Sequence, residues 1–194
     1  MTETEETLFA RQALPEDLRF LLAKYPRESW GREHTVGQLG SFWLKRHDMF
    51  RELGSALVAQ TGELREGRIE AQAYAVWFVP RLNFFLSQLD GHHQIEDQHY
   101  FPVFAAAESR LKRGFDILDS DHHLIHDLLE ANAQSANRFL QGLREGGDLL
   151  KRTTDDYGQQ SEKMLVGLLR HLEDEEDLII PLMLDRGEGA LGVS

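Results

Sequence analysis

The sequence predicts an all-α protein, an up-down-up-down four-helix bundle with a short extra helix at its N-terminal end. Three observations carry that prediction. Apolar residues recur at helical spacing, and no stretch alternates in the way a half-buried strand does. Four long helical segments are separated by short polar connections, which favour antiparallel neighbours. A length of 194 residues with 41% apolar residues fits one domain with one sizeable core.

The first dozen residues read as a loose acidic tail. Pro15-Glu16-Asp17 then opens a short amphipathic helix over Leu18 to Tyr25, with proline and acids in its first turn, and Pro26 closes it. The first long helix is expected from about Thr35 to Thr61, with Leu39, Trp43, Phe50 and Leu57 as apolar positions and a stop near Gly62. The second begins near Arg68 and extends past Glu96 towards Phe104, kinked by Pro80 and weakened at Asp90-Gly91. The third opens around Asp119-Ser120-Asp121, whose short polar side chains can cap free backbone N–H groups, and ends by Gly142 to Gly147. The fourth starts at Asp148 after a Gly-Gly break and runs to about Ile180, where Pro181 ends it. Residues from Arg186 to Ser194 are Gly-rich and expected to be loose. The expected organisation is therefore 1–30 as acidic tail and short helix, 31–185 as bundle, and 186–194 as flexible tail.

Composition narrows the function. A formal net charge of -12 argues against nucleic acid or an anionic membrane surface as partner. The absence of cysteine excludes a disulfide scaffold, thiolate zinc sites, iron–sulfur ligation and a cysteine nucleophile. The start, Met1-Thr2-Glu3-Thr4-Glu5-Glu6, is acidic and polar, unlike a signal peptide, and no apolar run approaches the ~20 residues needed to cross a bilayer. The expectation is a cytoplasmic protein.

Nine histidines stand out, and their placement matters more than their number. Trp43 and Phe50 bracket His47 at helical spacing. Phe85, Leu89, His92 and Glu96 form one line, as do Leu118, His122, His126 and Leu129, and Met164, Leu168, His171, Glu175 and Leu178. Each long helix thus carries histidine on its buried stripe. Burying an imidazole or carboxylate without a partner costs on the order of a few kcal/mol. Seven such groups would absorb much of a domain's ~5–15 kcal/mol net stability. A bound metal removes that conflict by turning lone pairs into ligands.

Seven donors exceed one tetrahedral zinc and suit two octahedral metals, with carboxylates able to bridge ions ~3.5–4 Å apart. Imidazole with carboxylate suits iron, zinc, manganese, nickel or copper, and the histidine-rich set disfavours magnesium and calcium. The Glu-x-x-His spacing of ferritin-like di-iron bundles is reversed and lengthened here, which excludes that class. Outside the set, His93 points about 100° away from His92 around the helix and reads as surface or as support behind a ligand. His99 and His123 read as solvated, His34 as a polar loop residue, and Tyr100 as core packing.

At these residues the sequence resembles the hemerythrin family, in its bacterial HHE-type members. The motifs are His92-His93-Gln94-Ile95-Glu96-Asp97 followed by Phe101-Pro102, Asp121-His122-His123-Leu124-Ile125-His126, and His171-Leu172-Glu173-Asp174-Glu175-Glu176 with Pro181, completed by His47. The resemblance covers about Thr35 to Pro181. It implies two non-haem iron ions joined by an oxo or hydroxo bridge. One would be held by His122, His126 and His171, and the other by His47 and His92, with a position open for dioxygen, nitric oxide or peroxide. Glu96 and Glu175 would bridge, with Glu176 as the alternative, because some members place the last carboxylate one residue later. The implied role is binding or sensing of a small diatomic ligand or peroxide. The alternatives are an enzyme that decomposes peroxide or repairs damaged metal centres, and a storage or structural metal bundle. Binding is preferred because no general base, nucleophile or cofactor fingerprint stands outside the metal set. The redox partner and the oligomeric state, a homo-oligomer included, stay open.

Overall fold

The computed structural model describes residues 6–32 and 34–193. Most of the acidic start, Met1 to Glu5, lies outside the described residues, as do Glu33 and Ser194. A short turn at Glu16–Leu18 leads into α1 (Phe20–Lys24). The remaining helices are α2 (Gln38–Arg65), α3 (Ala71–Ile95), α4 (Phe101–Ala107), α5 (Lys112–Glu145), α6 (Gly147–Arg186) and α7 (Glu188–Leu191). Among the described residues there is no strand, only an isolated bridge between Trp30 and His34. No helix among them is long and apolar enough to cross a membrane.

Helix ends differ from the predicted ones for identifiable reasons. α2 runs through Gly62 and stops only before Gly67, whose φ of 71° is the left-handed conformation that a helix C-terminus favours. α5 begins at Lys112, so Asp119, Ser120 and Asp121 lie within it; the 3-10 turn Ser109–Leu111 just before it is capped by Glu108, which accepts from the Arg110 backbone N–H. Pro181 does not end α6, which continues to Arg186, and Pro80 likewise sits inside α3. A proline removes one backbone donor, and a long helix packed on both sides of it can absorb that loss. The Gly-Gly break is where expected. Gly146 and Gly147 have φ of 74° and 59°, which lets α5 pass into α6 through a very short turn.

Between α3 and α4 the helix widens into a π-helix over Glu96–Tyr100 instead of stopping. Such widenings insert a residue into a helical turn and often mark functional positions.

The chain divides into two compact units, and each long helix contributes to both. One comprises Met1–Asp48, His92–His123 and Leu169–Ser194; the other comprises Met49–Gly91 and Leu124–Leu168. The second unit has an aromatic core drawn from three helices. Tyr74, Phe78, Phe139 and Tyr157 stack edge and face at centroid distances of 5.0 to 5.6 Å. Gly54 permits close helix approach there, since a Cβ on it would lie 2.8 Å from Leu165.

In the first unit Trp43, Phe101, Phe104, Phe115, Leu118, Leu178 and Ile179 form a core together with Leu14, Leu18 and Leu21. Leu8 and Arg11 are also buried. Within the first dozen residues, expected to be loose, the described Leu8 and Arg11 are thus anchored. The C-terminal stretch is anchored likewise. Leu191 is buried, and the Glu188 carboxylate accepts from the backbone N–H groups of Leu39 at 3.1 Å and Gly40 at 2.8 Å, capping α2. Each unit draws a segment from each of the four long helices, which fits the all-α bundle the sequence predicts.

Candidate metal centre

All the inward-facing donors lie in the first unit. Two groups have ligand atoms within 4.8 Å of one another: His47, His92, Glu96 and Glu175, and His93, His122 and His171. Six of the seven sequence-predicted residues are therefore brought together. His126 is not. Its side chain is 57% exposed, with its ring nitrogens 3.5 Å from Asp90 and 3.5 Å from Glu130. Four residues of helix advance about 6 Å along the axis, so a residue sharing His122's face sits one turn beyond the cluster.

His93 takes the place expected of His126. It is 5% exposed, and its ring stacks on that of His122 at 4.0 Å with an interplanar angle of 12°. Adjacent helical residues diverge by about 100°, so they can straddle the inward direction at about 50° on either side. A helix passing beside two donor groups can thus serve one with His92 and the other with His93. The doublet was the signal available in the sequence.

The donor geometry is that of coordination. His47 Nε2 lies 3.1 Å from His92 Nε2, and His122 Nε2 lies 3.0 Å from His171 Nε2. Two nitrogens bound to one ion at ~2.1 Å and at right angles would be ~3.0 Å apart. Each carboxylate spans both groups. Glu96 puts Oε1 2.9 Å from His92 Nε2 and Oε2 3.6 Å from His122 Nε2. Glu175 puts Oε1 3.6 Å from His47 Nε2 and Oε2 3.3 Å from His171 Nε2.

Behind the donors stands a layer of carboxylates that sequence reasoning missed. His47 Nδ1 lies 3.0 Å from Glu176 Oε1, His122 Nδ1 lies 2.6 Å from Asp97 Oδ1, and His171 Nδ1 lies 3.4 Å from Asp121 Oδ2. In the neutral ring each carboxylate would hold the proton on Nδ1 and leave Nε2 free to face inward, the arrangement by which proteins orient metal-binding imidazoles. Glu176, the alternative to Glu175, thus supports His47 and does not join the inward group. Trp43 Nε1 donates to Glu175 Oε1 and holds that carboxylate in place.

Left to themselves, these groups are in electrostatic conflict. Burial pushes His92 down to about 3 and His93 well below its ordinary value. His122 is also lowered by burial, against the pull of Asp97. Burial, reinforced by the charge of Glu175, raises Glu96 well above the carboxylate range. For His171 burial works downward, yet Asp121 and Glu175 outweigh it and raise it to about 9. Glu175 is lowered despite its burial, chiefly by the charge of His47 and by His171 beside it. Both oxygens of Glu96, Oε2 of Glu175 and Nε2 of His93 are buried without a hydrogen-bond partner. Orphaned lone pairs pointing into one small space are what a cation would satisfy, so the residues present fit a metal.

The family model for the hemerythrin HHE cation binding domain matches residues 39–183. The chain belongs to the hemerythrin family. Comparison with curated proteins and with solved structures gives no match. A hemerythrin HHE domain binds metal, and the histidine and glutamate groups here fit that property. The hemerythrin match begins after the N-terminal segment, so Leu14, Leu18, Leu21, Arg11 and Arg27 precede it.

Proposed function

We propose that this hemerythrin-family chain holds two iron ions and takes up dioxygen, nitric oxide or peroxide at one of them. The observation that carries the reading is the pair of carboxylates, Glu96 and Glu175, each with one oxygen against either imidazole group. A single ion would not need two separate histidine groups so linked, whereas bridged metals do. His47 and His92 would hold one ion, His93, His122 and His171 the other, and the two glutamates would bridge.

Donor number then distinguishes the positions. The His93 group has three imidazoles and two carboxylate oxygens, leaving little of an octahedral shell open. The His47 group has two imidazoles and two carboxylate oxygens, so more of its shell is available to an incoming molecule. His92 also has a side-chain exposure of 10%, while its partner Glu96 is at 1%. Ligand access is expected on the His92 side. Iron would supply a Lewis-acidic, redox-active centre there. The chain's own part is to hold the imidazoles by Glu176, Asp97 and Asp121, to fix Glu175 through Trp43, and to keep bulk water away.

Stopped-flow mixing of the reduced, iron-loaded protein with dioxygen, nitric oxide and peroxide tests this. The expected result is a saturable spectral change that persists until the ligand is removed. Sustained consumption of peroxide without such an adduct would contradict binding and favour the peroxide-decomposing enzyme.

A further inference from the structure

We propose that Arg11 and Arg27, both upstream of the family domain, are positioning residues for the two metal positions, one arginine for each. This rests on the two-metal reading above.

Arg11 has a side-chain exposure of 1%. It grips Asp121 with both terminal nitrogens, Nη1 on Oδ1 at 2.9 Å and Nη2 on Oδ2, and its Nε donates to Asp174 at 2.7 Å. Asp121 Oδ2 is the oxygen facing His171 Nδ1. Arg27 repeats the arrangement on the other side. Its Nη1 donates to Glu176 Oε2 at 2.8 Å, while Glu176 Oε1 faces His47 Nδ1. Its Nε and Nη2 hold Asp177 at 2.6 Å and the Glu173 carbonyl at 2.7 Å. Two relays of guanidinium, carboxylate and imidazole result, one ending in each donor group.

A carboxylate behind Nδ1 locks the imidazole's rotation and makes Nε2 a stronger donor. A guanidinium on that carboxylate fixes its direction and draws off part of its negative charge. Because Asp121 and Glu176 are 3% and 2% exposed, water does little to screen either effect. Losing the arginine should leave a carboxylate that no longer fixes the imidazole, so ferrous iron is held less tightly, while the carboxylate's fuller charge favours the ferric form over the ferrous.

The simpler alternative is that the arginines only clasp the N-terminal segment to α6. Asp174 takes both Arg11 and the Leu14 backbone N–H, the latter at 3.2 Å, which suits a clasp. Leu18 separates the two ideas. It packs the same segment into the apolar core at 2% exposure and is uncharged, so Leu18→Ala loosens the segment without changing the charge at either carboxylate.

The test compares the full chain, Arg11→Gln, Arg27→Gln, the two Arg→Lys variants and Leu18→Ala. Ferrous iron titration without oxygen, reduction potential and melting temperature are measured for each. Each glutamine variant is expected to weaken iron binding at one of the two positions by about 10–100-fold and to lower the potential. The lysine variants, which keep the charge and lose the fork, should hold the potential near its original value and recover only part of the affinity. Leu18→Ala should lower the melting temperature alone. Glutamine variants that behave like Leu18→Ala, with affinity and potential unchanged, would overturn the proposal. Should Arg11→Gln fail to fold, Arg27, whose side chain is 35% exposed, and Arg11→Lys still decide it. A wild-type protein that takes up no pair of irons would instead sink the two-metal reading, a distinct failure.

Discussion

Replacement of His93 by alanine is expected to strip one of the two metals from the chain, whereas replacement of His126 is expected to leave both. His93 is buried against His122 and 5.2 Å from His171, so its loss removes a donor and leaves a void between two imidazoles. The void alone costs on the order of 1–3 kcal/mol. Weakened metal binding adds about 1.4 kcal/mol for every tenfold fall in the ratio of free metal to dissociation constant. A combined loss of ~4 kcal/mol would lower the melting temperature of a chain this size by roughly 8–16 °C. His126, with its exposed ring beside Asp90 and Glu130, has nothing comparable to lose. Elemental analysis and calorimetry of both variants check this. Equal metal loss from both, or loss from His126→Ala alone, would restore the spacing-based assignment.

Removal of the metal is expected to make the fold acid-sensitive between pH 6.5 and 4.5. The neutral imidazoles of His92, His93 and His122 resist protonation in the folded chain, while in the unfolded chain they titrate near 6.5. Their contribution is complete above that value and is lost as pH falls below it. Glu96 opposes them, because it stays protonated in the fold and is ionised when unfolded above about 4.5. His171, raised to about 9, is protonated in both states in this window and adds no slope; its contribution is lost only as pH rises through 9. Three lowered imidazoles against one raised carboxyl give unfolding a net uptake of protons, so stability should fall as pH drops through this window. Urea unfolding of the chelator-treated protein at pH 7.5 and 5.5 measures it, and a midpoint that is flat or higher at pH 5.5 would contradict the cluster's burial. In the loaded protein the same protons compete with metal, so retention should fail below about pH 6.

The parts of this molecule legible in its sequence are those governed by helical periodicity. His47 between Trp43 and Phe50, and His171 below Met164 and Leu168, declare an inward face through their apolar neighbours, and both lie fully buried. Periodicity also explains why His126, though on the same helical line, lies outside the donor groups. Spacing reports which side of a helix a residue occupies and says little about how far along the axis the site lies. At His93 the same rule misled in the opposite sense, since one inward line cannot describe a helix that serves two donor groups. Helix ends at Gly62 and Pro181 depended on packing around them, which local signals do not contain. The π-helical turn at Glu96–Tyr100 also has no spacing signature. Least legible were Arg11, Arg27, Asp97 and Asp121, because their roles rest on partners up to 163 residues away, as between Arg11 and Asp174. No local pattern marks a guanidinium that must meet a distant carboxylate.

Two metals bridged by Glu96 and Glu175 are the core of this account, and the distance between them is its most direct measure. X-ray absorption of the iron-loaded protein should show nitrogen-rich coordination and a second iron within about 4 Å of the first. Spectra in which each iron has no iron neighbour, or in which only one iron is held per chain, would contradict it.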